Sequence, residues 1–183
     1  VFIGGKDIEL LSMSDLTDVM NRVFDSWFLK GVIKVEPFYS MLVRTLNPDN
    51  KTCKGCHFQS DCASRSLNID PNGDLYVCYD MADGGHCLLG NAIEEHFDIA
   101  VWSSLNSRQT ALPEDCKVCP YLSACQGGCM SEAYDSTGDI YGLTPYCSTW
   151  KSIFSKMHSE IDLHGKDVVL SLIHISEPTR LRR

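Results

Sequence analysis

The feature that most constrains this chain is a run of closely spaced cysteines. Their spacing is C-x2-C-x5-C-x3-C, followed by a fifth cysteine after seventeen further residues. Thiols at such short intervals indicate metal binding. Because one centre takes four protein ligands, five thiols predict a spare cysteine or a contribution to a second centre. The cysteines are Cys116, Cys119, Cys125, Cys129 and Cys147.

A second group of cysteines lies upstream. Cys53, Cys56 and Cys62 repeat the C-x2-C-x5-C interval, and Cys78 follows sixteen positions after Cys62, with Gly73 between them. The simplest interpretation is a pair of neighbouring thiolate centres that exchange one ligand across the sequence.

The whole pattern resembles the SPASM domain. That domain is the carboxy-terminal extension of radical S-adenosylmethionine enzymes that modify peptides and proteins, including thioether synthases and anaerobic sulfatase maturases. The match covers about residues 53–150 and holds seven cysteines and Gly73 in register. Two further stretches resemble these enzymes: Leu89-Gly90-Asn91 and Gln126-Gly127-Gly128-Cys129.

The resemblance implies two auxiliary [4Fe-4S] clusters, each held by four thiolates. Cys53 is an alternative to Cys56 as a ligand of the first cluster, and the sequence leaves that choice open. Cys87 is a spare thiol or another alternative ligand, and His57 could bind iron in an unusual ligand set. The implied ligands are Cys56, Cys62, Cys78 and Cys129 for the first cluster, and Cys116, Cys119, Cys125 and Cys147 for the second.

The resemblance also implies a function. In such enzymes a core cluster reduces S-adenosylmethionine to a deoxyadenosyl radical, which removes a hydrogen atom from a bound peptide. The substrate radical then loses an electron, and auxiliary clusters are its natural acceptors or conduits. The expected role is therefore electron handling during the oxidation of a ribosomally made peptide, with flavodoxin or ferredoxin as reductant.

The alternative within the same family is an anaerobic sulfatase maturase, which forms formylglycine. In those enzymes an aspartate general base directly follows the cysteine equivalent to Cys78, whereas this chain has Tyr79 there and Asp80 one place later. On a strand, that shift would turn Asp80 to the opposite face, although a bend after Cys78 could restore it. Asp80 is the candidate proton acceptor.

The radical-forming core is expected to lie outside this sequence. Its C-x3-C-x2-C motif, which would hold a third [4Fe-4S] cluster and S-adenosylmethionine, does not occur here. We therefore expect no activity from this chain alone. Residues 1–50 are expected to form the junction from a partial (β/α) barrel and residues 51–165 the SPASM domain. Residues 168–183 resemble translated sequencing adapter and are expected to be a non-native tail.

The expected fold class is α+β: a small, loop-rich iron–sulfur domain with one hairpin and several helices. Apolar periodicity predicts helices over residues 14–31, capped by Ser14, over 38–46, and from Pro145 onward with Cys147 in the first turn. Ile33 and Val35 suggest a short strand. A hairpin turns at residues 70–73 and places Cys78 at a strand end. Glu94, Glu95 and Asp98 are expected on the polar side of a short helix.

A hypothesis from another class is a zinc-stabilised, non-catalytic binding module, because paired CxxC motifs also build structural zinc sites. A disulfide framework is less favoured, since ten cysteines in 183 residues fall below the density of small stapled scaffolds. Reduced thiols in a cytoplasm are expected instead. The formal net charge of -8 argues against nucleic acid, and no apolar run is long enough for a bilayer.

Overall fold

The computed structural model describes residues 11–28, 33–47 and 56–169. The chain divides into two compact units: Val1–Lys34 with Ser148–Arg183, and Val35–Cys147. Helices dominate both. The helices are α1 (Met13–Phe28), α2 (Phe38–Leu46), α3 (Tyr79–Gly84), α4 (Ile99–Ser107), α5 (Glu114–Lys117), α6 (Leu122–Cys125), α7 (Met130–Thr137) and α8 (Cys147–His164).

In the first unit, α1 begins earlier than predicted. Ser12, rather than Ser14, caps the helix: its hydroxyl accepts from the Asp15 amide at 3.1 Å and donates to the Asp15 carboxylate at 2.7 Å. That arrangement satisfies a backbone donor which would otherwise have no helical partner. The predicted end near Gly31 lies outside the described residues. Phe24 and Phe28 are buried in the core, whereas Val23 on the same helix is exposed.

The α8 helix starts at Cys147, so the prediction of a helix carrying this thiol in its first turn is confirmed. Its polar contacts with α1 join Thr17 to Thr149 at 2.7 Å and Asn21 to Ser152 at 3.0 Å. The apolar face predicted for this helix is largely buried. Its buried members are Trp150, Ile153, Phe154 and Met157.

The second unit opens with α2, whose bounds match the prediction. The short strand expected at Ile33 and Val35 is wrong, because both residues are in irregular chain and Ile33 is 66% exposed. An extended segment becomes a strand only when a neighbour accepts its backbone hydrogen bonds. Here the Val35 carbonyl instead accepts from the Tyr39 amide at the start of α2.

A four-stranded antiparallel sheet follows in the order β1-β2-β3-β4. The predicted hairpin is confirmed: β1 (Asn68–Ile69) pairs with β2 (Asp74–Tyr76) across a turn in which the Gly73 amide donates to the Asp70 carbonyl. Two strands were not predicted, β3 (Gly90–Asn91) and β4 (His96–Phe97). At two residues each, they are too short to show alternation.

The turn between β3 and β4 corrects another prediction. Glu94 and Glu95 lie in this turn rather than on a helix, and Glu95 has a positive φ of 55°. The Asn91 side chain organises the turn by accepting from the amides of Ile93 and Glu94. Asp98 is the cap of α4, where its carboxylate accepts from the amides of Ala100 and Val101. Glu94 and Glu95 therefore belong to a turn, and Asp98 is a helix cap.

A hydrophobic cluster centres on the sheet and supports the cysteine-bearing segments. Cys62, Cys78 and Cys87 are partly buried against it, so their backbone positions are tied to the core. Its buried members are Ala63, Leu75, Tyr76, Val77, Met81, Leu89, Leu105, Met130 and Ile140. Among the described helices, none is long and apolar enough to cross a membrane.

Candidate metal centre

Four thiols of the second unit form the first thiol group, defined as Cys56, Cys62, Cys78 and Cys129. Each stands at the start of a helical turn. Cys56 and Cys62 begin 3₁₀ turns, while Cys78 and Cys129 are the N-cap residues of α3 and α7. The sequence placed Cys78 at a strand end, but β2 stops at Tyr76 and Cys78 lies two residues further on.

The electrostatics of the first thiol group show that its members are neighbours. The Cys62 thiol interacts with those of Cys56 and Cys78, and the Cys129 thiol interacts with that of Cys56. Burial is the largest influence and raises the pKa of Cys62 and of Cys129 to about 12. Backbone amides at the start of α7 oppose that rise at Cys129, because they favour the thiolate.

The second thiol group comprises Cys116, Cys119, Cys125 and Cys147. Cys116 is buried in α5, Cys119 follows two residues after that helix, Cys125 ends α6 and Cys147 begins α8. The Cys125 thiol interacts with the other three, and burial raises its pKa to about 12. Eight of the nine described thiols therefore form two groups of four, and Cys87 is the ninth.

Two further cysteines, Cys53 and Cys87, could replace or supplement these eight ligands. Cys53 lies outside the described residues, so the choice between Cys53 and Cys56 stays open. Cys87, with a positive φ of 55°, interacts electrostatically with Cys78 and is therefore a fifth thiol beside the first group. Over residues 11–28, 33–47 and 56–169, no three His, Cys, Asp or Glu side chains form a group with the geometry of a single-ion site.

His57 has a hydrogen-bond partner that the sequence did not reveal. Its Nδ1 lies 3.0 Å from Glu132 Oε1, and Glu132 Oε2 accepts from the Thr144 hydroxyl at 2.6 Å. The Glu132 contact raises the pKa of His57 although burial lowers it. Glu132 sits in the first turn of α7, three residues after Cys129. No sequence spacing links residues 57 and 132, so only the fold shows this network.

Asp80 is in the first turn of α3 rather than on a strand. The argument from strand alternation therefore does not apply, because the chain bends at Cys78. The Asp80 carboxylate interacts with the thiols of Cys56 and Cys78 and contributes to the raised pKa of each, after burial. Asp80 is thus an exposed carboxylate at the edge of the first thiol group, and Tyr79 beside it is 76% exposed.

The paired glycines before Cys129 are packed closely against neighbouring side chains. A Cβ on Gly127 would lie 2.4 Å from Leu112, and one on Gly128 would lie 2.7 Å from Thr144. Both glycines have positive φ values, 86° and 72°. Protein packing and backbone conformation therefore account for them.

An apolar groove of about 540 Å³ lies in the second unit, next to the 3₁₀ turn that starts at Cys62. The Trp102 indole donates to the Ala63 carbonyl at 3.0 Å and so fixes α4 against this turn. No sequence pattern predicts the groove, because its walls come from separate segments. Its apolar lining includes Ala63, Leu67, Leu89, Phe97, Ile99 and Trp102.

The chain resembles known proteins in sequence and in fold. No family model matches the chain. Cysteine-type anaerobic sulfatase-maturating enzymes from two strains of Clostridium perfringens are 24% identical over 157 residues, which is 82% of this chain and 41% of theirs. The chain is homologous to these enzymes. It spans about two fifths of the length of the curated relatives it matches.

A solved structure of hexahistidine-tagged anSMEcpe with bound AdoMet resembles this one, with a TM-score of 0.63 at 20% identity. The likeness covers 93% of this chain and 46% of that one. The mixed helical fold with a small antiparallel sheet is therefore shared with part of a radical S-adenosylmethionine enzyme. The resemblance to anaerobic sulfatase maturases that the sequence indicated is confirmed in this form.

Proposed function

We propose that this chain is the auxiliary-cluster portion, of the SPASM type, of a radical S-adenosylmethionine enzyme that oxidises a peptide. The observation that carries the proposal is the sorting of eight thiols into two groups of four within one compact unit. Homology to sulfatase-maturating enzymes supports the same enzyme class.

The donor chemistry of the two groups fits [4Fe-4S] clusters. Four cysteine thiols per group match the ligand number and type that such clusters take. The thiols lie in or beside short helices and turns. Cys62 and Cys78 also pack against the hydrophobic cluster. When bound, these clusters accept or pass on single electrons. S-adenosylmethionine and a third cluster would belong to the rest of the enzyme.

In this proposal the chain supplies the cluster ligands and also a residue that accepts the proton released when the substrate is oxidised. Oxidation of a substrate radical would release one electron, for which one of the two centres would be the acceptor, and one proton. Asp80 is the proposed proton acceptor, because its carboxylate is exposed beside the first thiol group. A carboxylate in that position can take a proton from a bound peptide while the thiolates remain committed as ligands.

The proposed partners are a peptide or protein substrate and a one-electron donor such as flavodoxin or ferredoxin, in a cytoplasm. The apolar groove beside Cys62 supports a peptide partner, because its exposed walls include Leu67 at 54% and Ile99 at 68%. Surfaces of that kind commonly mark binding sites.

Sulfatase maturation is the second candidate, because the homologous enzymes from Clostridium perfringens are sulfatase-maturating enzymes. Against it stands Tyr79, which occupies the position of the aspartate general base in the maturases. The bend at Cys78 weakens that objection, since Asp80 follows on a helix and interacts with the same thiols. We therefore propose peptide oxidation as the general function and formylglycine formation as one form of it.

The first test is anaerobic reconstitution of the full chain with iron and sulfide, followed by metal analysis and a visible spectrum. We expect about eight irons and eight sulfides per chain. Stoichiometric zinc without visible absorption would contradict the proposal and support a structural binding module.

Variants assign the ligands. Cys62→Ser and Cys125→Ser should each remove one centre, and therefore about four irons, because each thiol interacts with others of its own group. Cys87→Ser is the matched control and should retain about eight irons. Loss of iron from the Cys87 variant would instead make Cys87 a ligand and the proposed first ligand set wrong.

A further inference from the structure

Arg108 is a buried cation that neither the sequence motifs nor the proposed function uses. It is the C-cap residue of α4 and is 0% exposed. Burial of an arginine is costly unless its charge and its donors find partners. The identity of those partners therefore indicates what the residue does.

The guanidinium ties together backbone segments from both thiol groups. Its Nη2 donates to the Gly127 carbonyl at 2.9 Å, between Cys125 and Cys129. Its Nη1 donates to the carbonyls of Ile140 and, at 3.3 Å, Gly142. Those two residues belong to the segment that leads to Cys147. One side chain thus braces the loops that carry ligands of both groups.

The charge of Arg108 is also shared between the two groups. Burial lowers the pKa of Arg108, and the thiols that act against this effect are Cys116, Cys129 and Cys62, ahead of Asp139. Cys116 belongs to the second thiol group and the other two to the first. The Nε atom is buried and has no hydrogen-bond partner among the described residues. Within the same part of the chain, the acceptors of the guanidinium are backbone carbonyls rather than carboxylates.

We propose that Arg108 is a positioning residue common to both centres. It fixes the loops that carry the two ligand sets relative to each other. It also places a buried positive charge near thiolates of both groups. The inference rests on the proposed function for its redox consequence. A buried cation favours the more negative, reduced form of a nearby centre. Arg108 therefore raises the reduction potentials of both centres together.

The experiment uses the full chain, reconstituted anaerobically, with Arg108→Met and Arg108→Lys. Potentiometric titration followed by electron paramagnetic resonance measures each centre, and the Cys62→Ser and Cys125→Ser backgrounds isolate one centre at a time. Arg108→Met should reduce the equilibrium constant for one-electron reduction about tenfold at both centres, which is about 59 mV for a one-electron couple. A shift at neither centre, or at only one, overturns the shared role.

Release of metal to a chelator tests the bracing independently of redox chemistry. Arg108→Lys keeps the charge but loses the forked contact with several carbonyls. It should leave both potentials within about twofold in equilibrium constant, yet release metal faster from both centres. Release at the unsubstituted rate overturns the bracing role. This variant also serves where Arg108→Met does not fold.

Arg44→Met is the matched control. Arg44 is also buried, at 5% exposure, and its Nε likewise has no partner among the described residues. Its guanidinium contacts the Gln126 amide at 3.0 Å when that amide is oriented to accept. We expect Arg44→Met to leave both reduction potentials and both release rates unchanged. An equal effect of Arg44→Met at both centres overturns the specific role of Arg108.

The outcomes separate this inference from the proposed function. Zinc in the unsubstituted chain would end the proposed function while leaving the bracing testable by zinc release. Faster zinc release from both thiol groups in Arg108→Lys would then support Arg108, and unchanged release would overturn it. Full iron loading together with unshifted potentials and unchanged release would support the function and overturn the inference.

Discussion

At the scale of single residues, charge near the thiols distinguishes the two proposed centres. Asp80 interacts with Cys56 and Cys78, which belong only to the first thiol group. Arg108, by contrast, interacts with thiols of both groups. The charge of Asp80 therefore influences thiols of the first group, and the charge of Arg108 influences thiols of both groups. Residue type and spacing do not predict these interactions. They depend on the fold, which places the start of α3 with Asp80 and the end of α4 with Arg108 near the thiols.

This contrast gives a prediction for Asp80→Asn. Removing a negative charge stabilises the reduced centre, so the reduction potential of the first centre should rise. The shift at the second centre should be smaller, because the thiols with which Asp80 interacts, Cys56 and Cys78, belong to the first group. Potentiometric titration of the reconstituted full chain measures both values.

Asp83→Asn is the control for that experiment. Asp83 lies on the same helix, three residues further on, and is likewise exposed. It should leave both potentials unchanged. Equal shifts from Asp80→Asn and Asp83→Asn would show that overall charge, rather than the position of Asp80, controls the centre.

At the scale of secondary structure, the sheet depends on one close approach between strands. Gly90 in β3 has a φ of 134°, and its partner in β4 is Phe97. A Cβ at this position would lie 2.1 Å from the His96 carbonyl oxygen, which is backbone and cannot move aside. The pairing of β3 with β4 therefore requires glycine at position 90. The position of Leu89, the residue before it, depends on the same glycine.

Gly90→Ala should lower the free energy of unfolding by more than about 2 kcal/mol, since it combines a clash with an unfavourable backbone conformation. Gly138→Ala is the comparison, because Gly138 also has a positive φ, 72°, but a Cβ there meets nothing within 4 Å. That change should cost about 1 kcal/mol. Urea unfolding of the reduced full chain measures both, and equal losses would contradict the steric argument.

At the scale of the whole molecule, protons and metal compete for the same thiols. Three described thiols, those of Cys62, Cys125 and Cys129, have pKa values raised to about 12 by burial. Metal binding must expel their protons, so folding, metal loading and pH are linked. The stability of the metal-free chain therefore depends on pH differently from that of the metal-loaded chain.

The pH dependence of the metal-free chain follows with a definite sign. An unfolded thiol ionises near its ordinary pKa of 9.0, whereas these three keep their protons to about 12 when folded. Between those values the folded state binds more protons, so stability falls as the pH rises from about 9 to about 12. Below that window the thiols contribute no slope.

Urea unfolding at several pH values, in the presence of reductant and chelator, measures the effect. The triple variant Cys62→Ser, Cys125→Ser, Cys129→Ser is the control, because lysines and tyrosines also titrate at high pH. The stability difference between the unsubstituted chain and this variant should shrink as the pH rises above about 9. A constant difference would show that the three thiols titrate alike in both states.

The elements that could be predicted are those that rest on local patterns. The hairpin at Asp70 and Gly73 and the helices at 38–46 and from Cys147 follow from turn residues and apolar periodicity. The cysteine spacing and the family resemblance it carries predict two ligand sets, and these stay a prediction. Ser12 was missed as a cap because Ser14 and Ser12 offer the same local chemistry, and only the helix start distinguishes them.

The remaining features depended on contacts between distant parts of the chain. The β3 and β4 strands have two residues each, and they exist because β2 offers backbone partners to β3. Glu132 reaches His57 across 75 positions, and Arg108 reaches the carbonyls of Gly127 and Ile140. Sequence determines which thiols can act as ligands, because that is a property of residue type and interval. Only tertiary structure decides which charges surround them, because burial and distance arise when separate segments pack together.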